Sequence, residues 1–198
     1  MKEDRIFRLA LQFREAIEKA KRSNEFEYSN VFFGFPCGCC RDTSDLLAAY
    51  LYENGIRTMC VSGGTPDWTH AWLIEENDYS LKMRKQERDE SIRYQEMIES
   101  HSCGHSYLSA INAINSGAFF EYEHKQTDYL EESRHHLVID ITGDQFKDKE
   151  EYLNYNERVY VGEMDAFHSL FEISSIYEYD FEALLDEPMY SRIMRHIK

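Results

Sequence analysis

Residues 37–55 read CGCCRDTSDLLAAYLYENG and contain the helix with the most clearly marked ends in the chain. Apolar residues recur on one face at the spacing of an amphipathic helix: Leu46, Leu47, Tyr50 and Leu51. Residues 42–44 are types that cap helix N-termini, so we predict that the helix begins between Arg41 and Thr43. Asn-Gly at 54–55 predicts its end, because glycine tolerates the left-handed conformation of a helix C-terminus.

Three cysteines, Cys37, Cys39 and Cys40, immediately precede this helix. A helix N-terminus favours a reactive cysteine, because exposed backbone N–H groups and the helix dipole stabilise the nucleophilic thiolate. The same N–H groups can face the oxyanion that forms when a thiolate attacks a carbonyl group. Cys40 lies closest to the predicted helix start. Cys39 is the alternative, and Cys37, in the loop after Pro36, is the third candidate.

A thiolate nucleophile needs a histidine, and that histidine needs a group that orients it. His70 opens the strand-like run THAWLIEE at 69–76, and Asp140 lies inside the run HHLVIDITGDQF at 135–146. Strands hold side chains in fixed relative positions. An unpaired charge inside an apolar strand is costly. We therefore predict that Asp140 has a partner, with His70 as the natural candidate.

Other segments predict a mixture of helices and strands. Apolar residues at spacings of three and four predict an amphipathic helix over 3–22. IRTMCVSGG at 56–64 and RVYVGE at 158–163 are typical of strands. The tail, 164–198, is predicted to consist of helical pieces separated by turns.

The length of 198 residues predicts a single domain over 1–198. Within it, residues 76–135 are charged and rich in helix-forming residues, which predicts a helical insertion. This insertion is interpreted as a lid or a partner surface, or as a helical layer that covers one face of a sheet.

Composition disfavours several classes of protein. The formal charge of -15, from 37 acidic and 22 basic residues, disfavours binding to nucleic acid and to anionic membranes. The charged N-terminal segment lacks the apolar stretch of a signal peptide, and no segment approaches the ~20 apolar residues of a membrane span. We therefore predict a cytoplasmic protein with reduced thiols. Five cysteines, an odd number, also fit poorly with a disulfide framework.

Several other side chains are candidates for substrate contact or for structural roles. Gln145 and Asp144 follow the strand that carries Asp140, and either is a candidate for substrate contact. Trp68 and Trp72 flank His70, and packing is their predicted role. His168 lies on an amphipathic stretch and is predicted to be a structural histidine.

Taken together, the motifs resemble the core of the papain-like cysteine hydrolase superfamily, in its transglutaminase-like and NlpC/P60-like branches. The shared pattern is Gly-x-Cys at a helix start, a His-x-Trp strand, and a strand that ends in Asp-x-Thr. The matching residues are Gly38-Cys39-Cys40, His70-Ala71-Trp72 and Asp140-Ile141-Thr142. The resemblance covers residues 34–75 and 136–146, and the long insertion after His70 departs from the compact pattern.

This resemblance implies an α+β, papain-like fold, in which a helix with the nucleophilic cysteine packs on an antiparallel β-sheet. The Gly-x-Cys spacing selects Cys40 as the nucleophile. The resemblance further implies that His70 is the general base and acid, and that Asp140 orients its imidazole.

The predicted function is thiol-dependent hydrolysis of an amide in a protein or peptide substrate, through an acyl-thioester on Cys40 and without a cofactor. If an amine resolves the thioester, the protein is a transglutaminase-like acyltransferase. Two alternatives remain open: a non-catalytic protein-binding module on the same scaffold, and a zinc-stabilised interaction domain. The candidate zinc ligands are Cys37, Cys39, Cys40, His101, Cys103 and His105. The oligomeric state does not follow from the sequence.

Overall fold

The computed structural model describes residues 2–27, 30–76, 136–149, 153–177 and 179–197. These residues belong to one compact unit, formed by Met1–Glu76 together with His136–Lys198. The predicted helical insertion, apart from its first residue, lies outside the described residues and stays a prediction. No helix in the described part of the chain is long and apolar enough to cross a membrane.

The described residues form four α-helices and a five-stranded sheet. The helices are α1 (Lys2–Arg22), α2 (Cys40–Glu53), α3 (Phe181–Leu185) and α4 (Pro188–Met194). The strands are β1 (Thr58–Gly64), β2 (Thr69–Glu75), β3 (Val138–Asp140), β4 (Tyr160–Gly162) and β5 (Glu172–Tyr177). The strand order is β4-β3-β2-β1-β5, and every neighbouring pair is antiparallel. The predicted α+β class with an antiparallel sheet is confirmed.

Helix α2 packs against β1 and β2, and α1 packs against α2. Because strand side chains alternate between the two faces of a sheet, β2 divides its residues between two environments. Ala71 and Leu73 join the core formed with the apolar faces of α1 and α2. His70 and Trp72 instead meet aromatic rings that include Phe171. His70 therefore lies on the face of β2 opposite Ala71 and Leu73, which join the core with α1 and α2.

Strand β5 corrects the prediction that the tail is entirely helical. It pairs with β1, and the register shifts between Ser62 and Gly63. Its sequence, EISSIY, carries two isoleucines separated by two serines, so it lacks the strict alternation that marks a strand. The irregular register explains that spacing. The predicted helical pieces are confirmed only for α3 and α4.

Candidate active site

Cys40 is the first residue of α2, and Cys39 is its N-cap. The helix thus begins one residue before the predicted range, and the prediction that residues 42–44 cap it is wrong, because they lie in its first turn. The side chain of Cys39 makes no capping hydrogen bond to any described residue. The first N–H groups of α2 are therefore not used by an N-cap side chain and can stabilise negative charge at Cys40.

His70 is the second residue of β2, and its side chain is 1 % exposed. Its Nε2 atom lies 2.8 Å from Oδ2 of Asp140, the last residue of β3. Aromatic rings surround the imidazole with centroids 5.1–5.8 Å away: Trp72, Phe146, Phe167 and Phe171. These rings fix the plane of the imidazole and keep water away from its bond to Asp140.

The Asp140 carboxylate is buried and hydrogen-bonded at both oxygens. Oδ1 accepts from the backbone N–H of Thr142 at 2.8 Å and from the Thr142 hydroxyl at 3.1 Å. Oδ2 faces His70 and, at 3.3 Å, Nε2 of His168. Burial alone would raise the pKa of Asp140, but the two histidines hold that pKa well below its usual range. The sequence-based prediction that Asp140 needs a buried partner agrees with this geometry.

The Cys40 thiol is half-buried at the start of α2, and His70 is the group that lowers its pKa most. Burial alone would raise the pKa of Cys40, but the hydrogen bond and charge of His70, with the N–H of Ala71, lower that pKa below its ordinary value. Burial alone would lower the pKa of His70, but the charge of Asp140 and the bonds to Asp140 and Cys40 raise it to about 9. Both shifts favour a thiolate–imidazolium pair. Because Nε2 faces Asp140, Nδ1 is the nitrogen that can exchange a proton with the thiol, and Nδ1 also faces the amide of Gln145.

The other described cysteines are less suited to this role. Cys39 is 1 % exposed, and its Sγ lies 3.4 Å from the Pro36 carbonyl oxygen and 3.5 Å from the Thr43 hydroxyl. Burial raises the pKa of Cys39 to about 12 and that of Cys60, in β1, to about 11. Cys37 is exposed in the turn before α2. The geometry therefore favours Cys40 as the reactive thiol.

Gln145 lies in a short 3-10 helix, Gly143–Phe146, directly after β3. Its Nε2 is 3.2 Å from Nδ1 of His70, and its Oε1 accepts from the backbone N–H of Gly38 at 3.4 Å. The Gly38 bond determines which end of the amide faces the imidazole. Gly38 has a φ of 72°, in the left-handed region that favours glycine. Gln145 thus presents an N–H donor beside His70, where substrate contact was predicted.

Asp144, the other predicted candidate for substrate contact, is paired with a different side chain. Its two carboxylate oxygens each lie 2.8 Å from a guanidinium nitrogen of Arg14 in α1. Arg14 also donates to the Ile141 carbonyl oxygen and to Glu18. Asp144 therefore fastens the loop after β3 to α1. This pair could not be predicted from the sequence, because an arginine within an amphipathic helix is expected to face solvent.

His168 is completely buried and belongs to the same hydrogen-bonded cluster. Its Nε2 lies 3.3 Å from Asp140 Oδ2, and its Nδ1 lies 2.7 Å from Asp165 Oδ1. The Tyr155 hydroxyl donates to the other oxygen of Asp165 at 2.9 Å. No spacing in the sequence connects His168 with His70. The signal that was present is an aspartate three residues before a histidine in an otherwise apolar stretch.

His70, Asp140 and His168 each offer one ligand atom, and these atoms lie within 4.8 Å of one another. Two histidines and a carboxylate are donors that a transition metal accepts. The separations of 2.8 and 3.3 Å between these same atoms match hydrogen bonds, in which a proton joins each histidine to the carboxylate. The predicted zinc alternative depends on His101, Cys103 and His105, which lie outside the described residues.

No protein-family model, curated protein or solved structure matches this chain. The papain-like resemblance therefore rests on the three sequence motifs alone. Support for a function therefore comes from the geometry and the electrostatics of the site around Cys40, His70 and Asp140.

Proposed function

We propose that this protein is a papain-like, thiol-dependent amide hydrolase that acts on a protein or peptide. In this proposal Cys40 is the nucleophile, His70 is the general base and acid, and Asp140 orients the imidazole. The observation that carries the proposal is the buried His70–Asp140 pair, with Nε2 and Oδ2 2.8 Å apart, together with the half-buried Cys40 thiol at the start of α2, whose pKa the same His70 lowers. Its members come from a helix start and from two adjacent antiparallel strands, which hold them rigidly.

In the resting enzyme, Cys40 is a thiolate and His70 is an imidazolium. The thiolate attacks the carbonyl carbon of the substrate amide, a C–S bond forms, and the π electrons move onto the carbonyl oxygen. The first N–H groups of α2 stabilise that oxyanion. His70 then donates its Nδ1 proton to the amide nitrogen, the C–N bond breaks, the amine leaves, and an acyl-thioester remains on Cys40.

Gln145 contributes a second donor to the oxyanion. A neutral His70 accepts a hydrogen bond from the Gln145 amide at Nδ1. An imidazolium carries a proton at Nδ1 and cannot accept that bond. In the resting thiolate–imidazolium state the Gln145 N–H is therefore available to the developing oxyanion, while its Oε1 accepts from the backbone N–H of Gly38.

Water completes the cycle. Neutral His70 removes a proton from the attacking water, the C–O bond forms, and the C–S bond breaks to release the acid and the Cys40 thiolate. An amine that takes the place of water would make the protein a transglutaminase-like acyltransferase, through the same thioester. Hydrolysis is favoured because water is always present at the half-buried thiol. A thiolate nucleophile also fits the predicted cytoplasmic location, where thiols stay reduced.

The alternative of a non-catalytic binding module has weaker physical support. Burying an ion pair costs desolvation free energy, which the pair and its hydrogen bonds only partly recover. A surface that only binds a partner gains nothing from a lowered thiol pKa at Cys40. A catalytic role would account for the charged groups at Cys40, His70 and Asp140, because catalysis by a cysteine requires a thiolate near neutral pH.

The test is pH-dependent alkylation of the full-length protein with iodoacetamide, with the modified cysteine located by mass spectrometry. We expect Cys40 to react fastest, and at a pH below the ~8.5 of an ordinary thiol. His70→Ala should slow that reaction, because the thiolate loses its counter-ion. Cys37→Ser, which removes an exposed cysteine near the same helix start, is the matched control and should leave the Cys40 rate unchanged. Uniformly slow labelling of all cysteines would refute the proposal.

A peptide library then separates hydrolysis from acyl transfer. Products are read by mass spectrometry with and without an added primary amine. Hydrolysis predicts free acids in both samples, whereas acyl transfer predicts amine-linked products in the second. Cys40→Ser should abolish either product.

A further inference from the structure

We propose that His168 is a second histidine on the catalytic aspartate, held as a cation between Asp140 and Asp165, and that it is a positioning residue. It fixes the Asp140 carboxylate and shares its charge with His70. The catalytic consequence rests on the proposed function. The charge on His168 is a property of the fold and can be measured without any substrate.

Both ring nitrogens of His168 face carboxylate oxygens. Nδ1 lies 2.7 Å from Asp165 Oδ1, and Nε2 lies 3.3 Å from Asp140 Oδ2. A neutral imidazole has one N–H and one lone pair, so one nitrogen would direct a lone pair at an ionised carboxylate. A doubly protonated ring donates to both carboxylates and removes that repulsion. The geometry therefore selects the cation.

Charge balance around the fully buried His168 ring also favours the cation. Besides the two carboxylates, the titratable groups that face His168 are His70, Tyr155 and Tyr160, whose ring centroids lie 5.3–6.2 Å from the His168 ring. With His168 neutral, Asp140 and Asp165 would be two carboxylates served by the single cation of His70. With His168 charged, each carboxylate has a cation of its own.

Close packing surrounds the Asp140 end of the cluster. A Cβ atom on Gly143 would lie 2.8 Å from Asp140 Oδ2 and 2.7 Å from the Tyr155 ring. The ring of Trp72 also packs against His168, at a centroid distance of 5.3 Å. The charge on Asp140, which is 2 % exposed, must therefore be neutralised by the neighbouring histidines, whereas the Asp165 side chain is 24 % exposed. The directions of the pKa shifts agree: burial would lower the pKa of His168, but the two carboxylates raise it above its ordinary value.

The catalytic consequence concerns the His70 proton. Asp140 attracts that proton, and a general acid must still release it to the leaving amine. A cation on the far side of the same carboxylate oxygen weakens this attraction. His168 thus limits the basicity of His70 while it holds Asp140 in position.

The first experiment measures the charge of His168 directly in the full-length wild-type protein. Nitrogen-15 spectra of the histidine side chains should show His168 with both nitrogens protonated at pH 7, as a second buried imidazolium beside that of His70. Asp165→Asn, which removes one carboxylate, should change that signal and so assign it. A His168 that is neutral at pH 7 would overturn the inference. About one tightly bound metal ion per chain in elemental analysis would also overturn it, because the three side chains would then be ligands.

The second experiment measures the pH dependence of peptide hydrolysis in His168→Gln, with His196→Gln as the control. His196 pairs with Glu25, away from this cluster. In His168→Gln we expect the high-pH limb, which His70 sets, to move to higher pH by on the order of one unit, because a nearby cation is gone. A merely structural role would lower the rate but leave both limbs in place, and that result would overturn the proposal.

The outcomes separate the two proposals. Fast Cys40 labelling with a neutral His168 refutes this inference alone. Slow Cys40 labelling with a charged His168 refutes the proposed function and leaves the His168 cation standing. Because the spectra need only the wild-type protein and Asp165→Asn, the test remains decisive if His168→Gln does not fold.

Discussion

Asp140→Asn removes one negative charge from the buried cluster and leaves the shape of the side chain almost unchanged. In the wild-type protein the pKa of His70 is raised to about 9 from an ordinary value of 6.5, against the opposing effect of burial. Since each pKa unit corresponds to ~1.4 kcal/mol, this rise represents about 3 kcal/mol of stabilisation of the imidazolium. Without Asp140, burial dominates, and His70 should be neutral at pH 7.

Asp140→Asn should lower both the alkylation rate of Cys40 and the free energy of unfolding. Alkylation of Cys40 at pH 7 should slow by roughly a hundredfold, because about 3 kcal/mol corresponds to two factors of ten in the population of the ion pair. The free energy of unfolding should fall by about 3 kcal/mol at pH 6, because the imidazolium loses its partner.

The loss of unfolding free energy in Asp140→Asn should decrease as the pH rises. His70 has a raised folded-state pKa, so its contribution is complete below pH 6.5 and disappears as the pH rises through about 9. The lowered pKa of Asp140 gives a contribution that is present above 3.8 and is lost only in stronger acid. The difference in unfolding free energy between wild type and Asp140→Asn should therefore be largest near pH 5 to 6.5 and shrink towards about pH 9.

Urea unfolding of both proteins, at intervals between about pH 5 and about pH 9.5, measures this difference. Asp180→Asn is a matched control, because Asp180 caps α3 at the surface and asparagine caps helices equally well. We expect only a small, pH-independent change in that control. A constant difference for Asp140→Asn across the whole range, or an unchanged rate of Cys40 alkylation, would contradict the buried ion pair.

Two further predictions concern the loop after β3. Gln145→Ala should lower kcat for peptide hydrolysis by about 10²-fold, as for other lost oxyanion donors, while alkylation of Cys40, which forms no oxyanion, keeps its rate. Equal losses in both assays would show that Gln145 supports the thiolate instead. Arg14→Met should reduce the free energy of unfolding by about 3 kcal/mol, because it leaves Asp144 without its bidentate partner. The exposed Arg8→Met is the control for urea unfolding, and an equal effect in both variants would remove the special role of Arg14.

The sequence predicted those parts of the fold and site whose signal is local. The apolar face of α2 and the strand-like runs around His70 and Asp140 each lie within about ten residues, and the structure has a helix or strand at each of them. Asp140 could be singled out because a charge inside an apolar strand needs a partner. The order of the three motifs along the chain then supplied the candidate site.

The features that the sequence did not predict depend on contacts between distant parts of the chain. Arg14 and Asp144 are 130 residues apart, and only the packed structure shows that they form a pair. His168 begins a short 3-10 helix, His168–Leu170, before β5, so no periodicity connects it with Asp140. The predicted start of α2, between Arg41 and Thr43, is too late for a different reason. Residues with capping side chains follow the cysteines, but the backbone already becomes helical at Cys40.

The site draws its residues from two separate stretches of the chain, which are held together by pairing of β2 with β3. Cys40 and His70 come from the first stretch, and Asp140, Gln145 and His168 come from the second. During synthesis, the first stretch leaves the ribosome with a thiol and an imidazole but without the carboxylate that makes them an ion pair. Under the proposed function, the thiol at Cys40 therefore becomes part of an activated site only after the second stretch has been synthesised and β3 has paired with β2.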